Sequence, residues 1–282
     1  MNGYIYYPGC SAKGNAKHYE ESILPVFKEI GMPLDELNDW NCCGATAYFS
    51  VDDSMAAAIN GRNFSLAEKA QKDIIAPCAG CYLTLKKSNK FLTSGTEKAR
   101  NILATLDKAG CSYSGKVDVK HPLEILSQDD MIEKIKAKVT RPLKGLRVAC
   151  YYGCQVVRPD KDFDDPDYPM SLDKLMAAIG AEPVDFSAKT RCCGGSLTGT
   201  IEKVGTRLNY IILKEAKKKG ADVVSTICPL CLFNLEILQD KMVKKYKDNV
   251  RMPILFFSQL IGLAMGIPKE DLGFSRSIID LK

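Results

Sequence analysis

Asp73-Ile74-Ile75-Ala76-Pro77-Cys78-Ala79-Gly80-Cys81 and Val223-Val224-Ser225-Thr226-Ile227-Cys228-Pro229-Leu230-Cys231 are one pattern written twice. In each, a short apolar run of strand character (Asp73 to Ala76, Val223 to Ile227) enters a Cys-x-x-Cys loop, and a helical pattern follows. Alternation of short apolar strands with amphipathic helices predicts parallel sheet with helices around it. Working outward, 34 residues separate each Cys-x-x-Cys from an adjacent pair followed by glycine: Cys42-Cys43-Gly44 and Cys192-Cys193-Gly194. Further upstream lie Cys10 and Cys154, 31 and 37 residues before their pairs. Each closes an apolar stretch ending in Gly-Cys, Tyr4 to Cys10 and Val148 to Cys154. The extra six residues of the second gap fall mostly in an Asp- and Pro-rich loop, Pro159 to Pro169. Helical patterns after Cys10 and Cys154 end at Gly31 and Gly180, both read as C-caps. Later, Pro122 to Gln128 echoes Pro253 to Gln259. So many landmarks at matched offsets imply an internal duplication. The expectation is an α/β fold of two homologous cysteine-rich α/β units, 1–140 and 141–282, each with a short parallel sheet flanked by helices. The joint is placed near Val139 to Gly145, where Arg141-Pro142 and Gly145 break the helical pattern.

In that layout strand-to-helix loops gather at the C-terminal ends of the strands. Cys10, Cys78, Cys154 and Cys228 all follow predicted strands, so loops distant in sequence converge there. Unpaired N–H groups at helix starts also lower thiolate pKa at such places.

The chain has 282 residues, a formal net charge of +5 and 46% hydrophobic residues, enough for one large or two small cores. Lysines 217–219 and 244, 245 and 247 sit at helical spacing among apolar residues. They read as solvated helix faces rather than a nucleic-acid or membrane patch. The start of the chain, with its tyrosine-rich stretch Tyr4 to Tyr7, lacks the basic region and long apolar core of a secretory signal. The longest apolar segment, Ile254 to Ile267, is interrupted by Ser258 and Gln259. It is too short for roughly 30 Å of hydrocarbon. The expectation is a cytoplasmic protein without a membrane span of its own.

Twelve cysteines in a reducing compartment point to metal ligands or redox groups rather than disulfides. Ten fall into the repeat, five per half: Cys10, Cys42, Cys43, Cys78 and Cys81, then Cys154, Cys192, Cys193, Cys228 and Cys231. Histidine is scarce, only His18 and His121, so coordination by thiolate alone leaves zinc or iron–sulfur. Five thiols per half favour a polynuclear cluster over one zinc ion. Gly44, Gly80, Gly194 and Gly195 beside the ligands are expected to allow positive φ and close approach to a bulky core. Cys111 and Cys150 fall outside the repeat and read as non-ligands, Cys150 as a small buried apolar residue. His121, aligned with Met252 of the other half, and His18 read as structural. Arg158 and Arg191 lie near ligand cysteines and are candidates for contact with an anionic substrate tail, with surface solvation the competing reading.

This arrangement, a cysteine, Cys-Cys-Gly and Cys-x-x-Cys present twice, resembles the cysteine-rich CCG domain family. Within that family it is similar to the catalytic B subunits of heterodisulfide reductases. The likeness covers nearly the whole chain, including the stretches Tyr151 to Pro159 and Phe163 to Pro169. It implies that each half binds a noncubane [4Fe-4S] cluster through its five cysteines, and all ten positions are filled. It further implies a small disulfide substrate held between the two clusters and reduced to two thiols. In methanogens that substrate is the heterodisulfide of coenzyme M and coenzyme B. Neither a flavin-binding fingerprint nor a ferredoxin run is present, so electrons are expected from partners. In the family these are a ferredoxin-like C subunit and a flavin-containing A subunit. Two other readings compete: an electron-relay subunit of another CCG-containing redox complex, and a zinc-bearing structural module.

Overall fold

A computed structural model describes residues 3–45, 48–158 and 163–281 of the chain. Eight strands form two four-stranded sheets, and every neighbouring pair in both sheets is parallel. The strands are β1 (Tyr4–Tyr6), β2 (Asp35–Glu36), β3 (Asp73–Ile75), β4 (Val119–Lys120), β5 (Arg147–Tyr151), β6 (Glu182–Pro183), β7 (Val223–Thr226) and β8 (Ile254–Phe256). The sheet orders are β2-β1-β3-β4 and β6-β5-β7-β8, the same topology twice. The duplication and the α/β class expected from the cysteine spacing are therefore features of the fold.

Parallel strands are covered on both faces by their crossover helices, so their residues are apolar in runs rather than in alternation. Val148 to Tyr151 obeys this, and Val223 to Thr226, which ends in Ser225 and Thr226, is likewise fully buried. The edge strands β2 and β6 have two residues each and expose Asp35, Glu36 and Glu182. Short, charged edges offer little template for pairing with another sheet.

The helices after β1 and β5 end as their glycines predict. Helix Lys17–Glu29 closes with Gly31 at φ +78°, and Met32 N donates to Phe27 O at 2.9 Å. Helix Ser171–Ala178 closes with Gly180 at φ +84°, and Ala181 N donates to Met176 O at 3.1 Å. Both bonds span six residues and satisfy carbonyls that the helix leaves open.

One sequence landmark is displaced. Pro122 to Gln128 does not superpose on Pro253 to Gln259. In register, Val119 pairs with Ile74 as Ile254 pairs with Val224, so Pro122 corresponds to Phe257, each the first residue of a helix. His121 accordingly corresponds to Phe256, not Met252. A short, largely apolar stretch after a proline suits strand or helix equally, and only pairing decides it. Of the Asp- and Pro-rich loop, residues 159–162 lie outside the described residues, as does Pro159 at the end of the family-like stretch.

Packing groups the chain into two compact units: residues 1–13 with 34–122, and residues 14–33 with 123–282. Helix Lys17–Glu29, from the first sequence repeat, thus packs within the second unit. There the Tyr19 ring stacks on Phe256 at 4.0 Å, Ser22 Oγ and Ser258 Oγ share a hydrogen bond of 2.6 Å, and Arg276 holds Glu21 through two nitrogens.

Candidate metal centres

In the first unit three loops deliver the five cysteines. β1 runs through Tyr7 and Pro8 into Gly9 and Cys10, β3 runs into Cys78, and the segment after β2 carries Cys42 and Cys43. Cys78 is the N-cap of helix Ala79–Leu92 and Cys81 lies in its first turn. The Cys-x-x-Cys therefore wraps a helix N-terminus, where the peptide dipoles favour thiolate. The second unit repeats this: β5 leads to Gly153 and Cys154, β7 leads to Cys228 as N-cap of helix Pro229–Ile237, and Cys231 follows in its first turn.

Each five-cysteine set is brought together. Cys43 Sγ lies 3.1 Å from Cys81 Sγ, and Cys193 Sγ lies 3.5 Å from Cys231 Sγ. Cys42 interacts with Cys43 and Cys10, and Cys81 with Cys43 and Cys78, which links all five thiols of the first unit. Cys154 interacts with Cys192, Cys193 and Cys228, and Cys231 with Cys193 and Cys228, which links the five of the second. Each adjacent pair splits, with Cys42 and Cys192 exposed and Cys43 and Cys193 buried.

Crowding changes how readily these thiols ionise. Hydrogen bonds from Cys42 and Cys81 hold Cys43 as thiolate and pull its pKa down to about 4. In the second unit hydrogen bonds from Cys154 and Cys193 pull Cys192 down to about 2. The neighbours keep their protons: hydrogen bonding to Cys43 raises Cys42, and hydrogen bonding to Cys192 raises Cys154 and takes Cys193 up to about 11. Metal binding would displace those remaining protons, since the ligand form is the thiolate.

Matching residues that the cysteine pattern alone does not reveal hold both sets. Tyr7 Oη donates to Asn41 O at 2.8 Å and Tyr151 Oη donates to Arg191 O at 2.6 Å. Each therefore ties the C-terminal end of the unit's first strand to the peptide just before the adjacent pair. Burial, and then the surrounding cysteines, raise both phenols far above their ordinary range, so they stay neutral donors. Asn60 Nδ2 donates to Cys43 O at 3.1 Å and Asn209 Nδ2 donates to Cys193 O at 2.9 Å. The signal for the tyrosines was present, three residues before Cys10 and before Cys154. The asparagines differ by one residue in spacing, which hides them.

Two glycines make room for sulfur. Gly9 (φ +65°) would place a Cβ 2.9 Å from Cys81 Sγ, and Gly153 (φ +68°) one 3.2 Å from Cys231 Sγ. Gly44, Gly194 and Gly195 have positive φ as expected. Gly80 instead lies inside helix Ala79–Leu92 and supplies no left-handed turn.

The second unit adds a buried brace. Lys189 O accepts from Tyr152 N and Gly153 N, while Lys189 Nζ donates to both oxygens of Asp173 at 3.0 Å. Arg158 is engaged structurally, Nε donating to Pro166 O at 2.9 Å. The Arg191 side chain is exposed, and its carbonyl serves Tyr151. His121 Nε2 bonds Pro77 O at 2.9 Å, the structural role expected of it. His18 is buried against Phe256 in the second unit. Cys150 is fully buried in β5, where burial raises its thiol, and Cys111 Sγ sits near Ala109 O, apart from either set.

A single zinc ion needs three or four donors around one point about 2.3 Å away. Each set offers five thiols, more than such an ion uses. Five thiols spread over three loops, some buried and some open, suit in number and chemistry the rim of a larger iron–sulfur core.

The cysteine-rich domain model of the CCG family matches residues 4–86 and 148–236. The chain belongs to the CCG family. Its two matched segments each contain one complete five-cysteine set. Among relatives of this CCG protein, the 8-methylmenaquinol:fumarate reductase membrane anchor subunit of Wolinella succinogenes is 35% identical, over 98% of this chain and 97% of that one. The B subunit of the ferredoxin:CoB-CoM heterodisulfide reductase of Methanosarcina mazei is 29% identical, over 99% and 94%. A protein of Archaeoglobus profundus that is itself like the B subunit of heterodisulfide reductase is 31% identical, over 96% and 93%. A crystal structure of a hypothetical protein from Helicobacter pylori shares the fold, with a TM-score of 0.79 at 17% identity. It covers 99% of this chain and about half, 52%, of that one. Among the described residues no helix is long and apolar enough to cross a membrane.

Proposed function

We propose that this CCG protein is the catalytic subunit of a heterodisulfide reductase-type complex and reduces a disulfide to two thiols. The observation that carries the reading is the repeated site: five convergent thiols, held twice by the same tyrosine-to-carbonyl and asparagine-to-carbonyl bonds. In this reading Cys10, Cys42, Cys43, Cys78 and Cys81 hold one [4Fe-4S] cluster, and Cys154, Cys192, Cys193, Cys228 and Cys231 a second, both of the noncubane type. When bound, the clusters supply one-electron transfers. Cleaving R–S–S–R′ to RSH and R′SH consumes two electrons and two protons, so two centres match the stoichiometry. The chain's own residues have the task of fixing the cluster rims. Tyr7 and Tyr151 lock the loops, Gly9 and Gly153 leave space for Cys81 and Cys231, and the exposed Cys42 and Cys192 leave one side of each centre open to reactants. Electrons come from partner subunits, in this reading a ferredoxin-like C subunit and a flavin-containing A subunit, and the complex works in the cytoplasm.

A second reading is supported by the 35% identity to a fumarate reductase subunit. There the clusters relay electrons to another catalytic subunit, and the name of that relative places its own complex at a membrane. Metal and sulfide analysis of anaerobically purified protein tests what both readings share: about eight irons with matching sulfide per chain, without zinc. Reduction of the coenzyme M–coenzyme B heterodisulfide, or of an analogue, by reduced viologen separates them. Turnover supports the catalytic reading. Fully loaded protein that reduces no disulfide, yet passes electrons within a purified complex, supports the relay and overturns it.

A further inference from the structure

The two five-cysteine sets share their scaffold but not their hydrogen-bond donors. Asn234 lies on helix Pro229–Ile237, three residues beyond Cys231, and is fully buried. Its Nδ2 donates to Gly195 O at 2.9 Å and to Cys193 Sγ at 3.4 Å, with Cys193 O at 3.5 Å. Three acceptors on one side fix the amide, since the flipped group would set Oδ1 against all of them. The contact to Cys193 O at 3.5 Å is long for N–H···O, whereas 3.4 Å is close for a sulfur acceptor, so the second Asn234 N–H is directed at the sulfur. The Asn234 carbonyl oxygen is buried and meets no hydrogen-bond donor among the described residues. A polar group kept in the interior with half its valence unused calls for an explanation beyond packing.

The first unit does not repeat this donor. Three residues beyond Cys81 stands Thr84, also buried, which has no amide. The amide of Asn60 goes to Cys43 O and to Ser88 Oγ at 3.0 Å, not to sulfur. The same ligand set is thus dressed differently in the two units.

We propose that Asn234 sets the reduction potential of the second centre through its N–H bond to the Cys193 sulfur. The inference rests on the reading of Cys193 as a cluster ligand. A donor on a ligand thiolate stabilises the more negative, reduced state more than the oxidised one, and so raises the potential. Asn234 acts through the cysteine and is a positioning residue rather than a catalytic one.

The test is an EPR-monitored redox titration of anaerobically purified wild type, Asn234→Leu and Asn234→Thr, with iron and sulfide counted on each sample. Asn234→Thr installs the residue that the first unit tolerates at this place. The second centre's signal is identified by its loss in Cys228→Ser. Expected is full iron in Asn234→Thr and a midpoint of the second centre moved to more negative potential. The shift corresponds to about a tenfold fall in the reduced-to-oxidised ratio at the wild-type midpoint, about 59 mV for one electron. The first centre's midpoint stays in place. Full iron with both midpoints unmoved overturns the proposal, and so does loss of iron from both variants, which makes Asn234 a structural residue only. Wild type without iron or sulfide instead overturns the cluster reading itself.

Discussion

Replacing Gly9 by alanine tests the site where backbone and ligand geometry meet. Two costs add. The residue has φ +65°, where a side chain costs roughly 1–2 kcal/mol. The new Cβ also stands 2.9 Å from Cys81 Sγ, whereas non-bonded heavy atoms settle near about 3.5–4.0 Å. The sulfur must yield by at least about half an ångström, well past the ~0.2 Å within which ligand distances are held. Cys81 is itself buried in the first turn of its helix, so on the proposed reading its bond to the cluster is what gives way. Gly9→Ala is therefore expected to lose the first cluster and keep the second, halving iron from about eight to about four per chain. Gly153→Ala has the same strain (φ +68°) with a wider contact of 3.2 Å, and should lose less iron. Gly145→Ala is the control: φ +80° with nothing within 4 Å of the added carbon, so strain without collision and full iron. Iron and sulfide per chain, with circular dichroism to verify folding, give the ranking. Gly9→Ala with the iron content of Gly145→Ala would refute the placement of Cys81 in the cluster rim.

Other consequences can be checked on the same preparation. Lys189→Met removes the ammonium from a pair whose side chains are 1% and 7% exposed, and should lower stability by about 3–5 kcal/mol in urea unfolding. Lys189→Met with Asp173→Leu should recover much of that, and an equal loss in single and double variants would count against the buried charge as the cause. Tyr151→Phe strands the Arg191 carbonyl at a cost of about 1–3 kcal/mol and should make iron in the second unit easier to chelate, read as a faster chelator-induced bleach. Burial lowers the His18 pKa from 6.5 to about 4, so between these values the unfolded chain takes up a proton that the folded chain refuses. Stability should then fall as pH drops from about 6.5 to 4, by up to about 3 kcal/mol, and His18→Leu should flatten that slope. Parallel pH profiles for the two proteins would contradict this.

The convergence of the two cysteine sets was legible because they recur at fixed spacing, and because the strands before Cys10, Cys78, Cys154 and Cys228 are apolar runs entering loops. The edge strands were not: Asp35–Glu36 and Glu182–Pro183 are too short and too exposed to leave a periodic pattern. The fourth strands were misaligned because Pro122 and Pro253 look alike locally, while β4 lies before the first proline and β8 after the second. Where helix Lys17–Glu29 packs was invisible for a different reason. Its apolar face shows that something covers it, but only tertiary contacts with Phe256 and Ser258 show what. Its Tyr19 Oη donates to Ile227 O at 3.1 Å, one residue before Cys228, so a helix from the first repeat braces a ligand loop of the second.

What separates the two five-cysteine sets is found beside the cysteines rather than in them. The position three residues before each adjacent pair is Asp39 in the first unit, exposed, at φ +57° and paired with Arg62 at the surface. In the second it is Lys189, buried on Asp173. Three residues after the last ligand it is Thr84 in one unit and Asn234 in the other. A duplicated site that kept identical surroundings would hold two centres of equal potential, and electrons would have no preferred order. An amide donor to a cysteine sulfur stands in only one of the two, whereas the Lys189 ammonium there is offset by the Asp173 carboxylate it is paired with. That bias favours the second centre as the first to hold an electron. It holds equally for a disulfide reductase and for a relay, which is why potentials and turnover must be measured separately: the first reports the scaffold, and only the second reports the substrate.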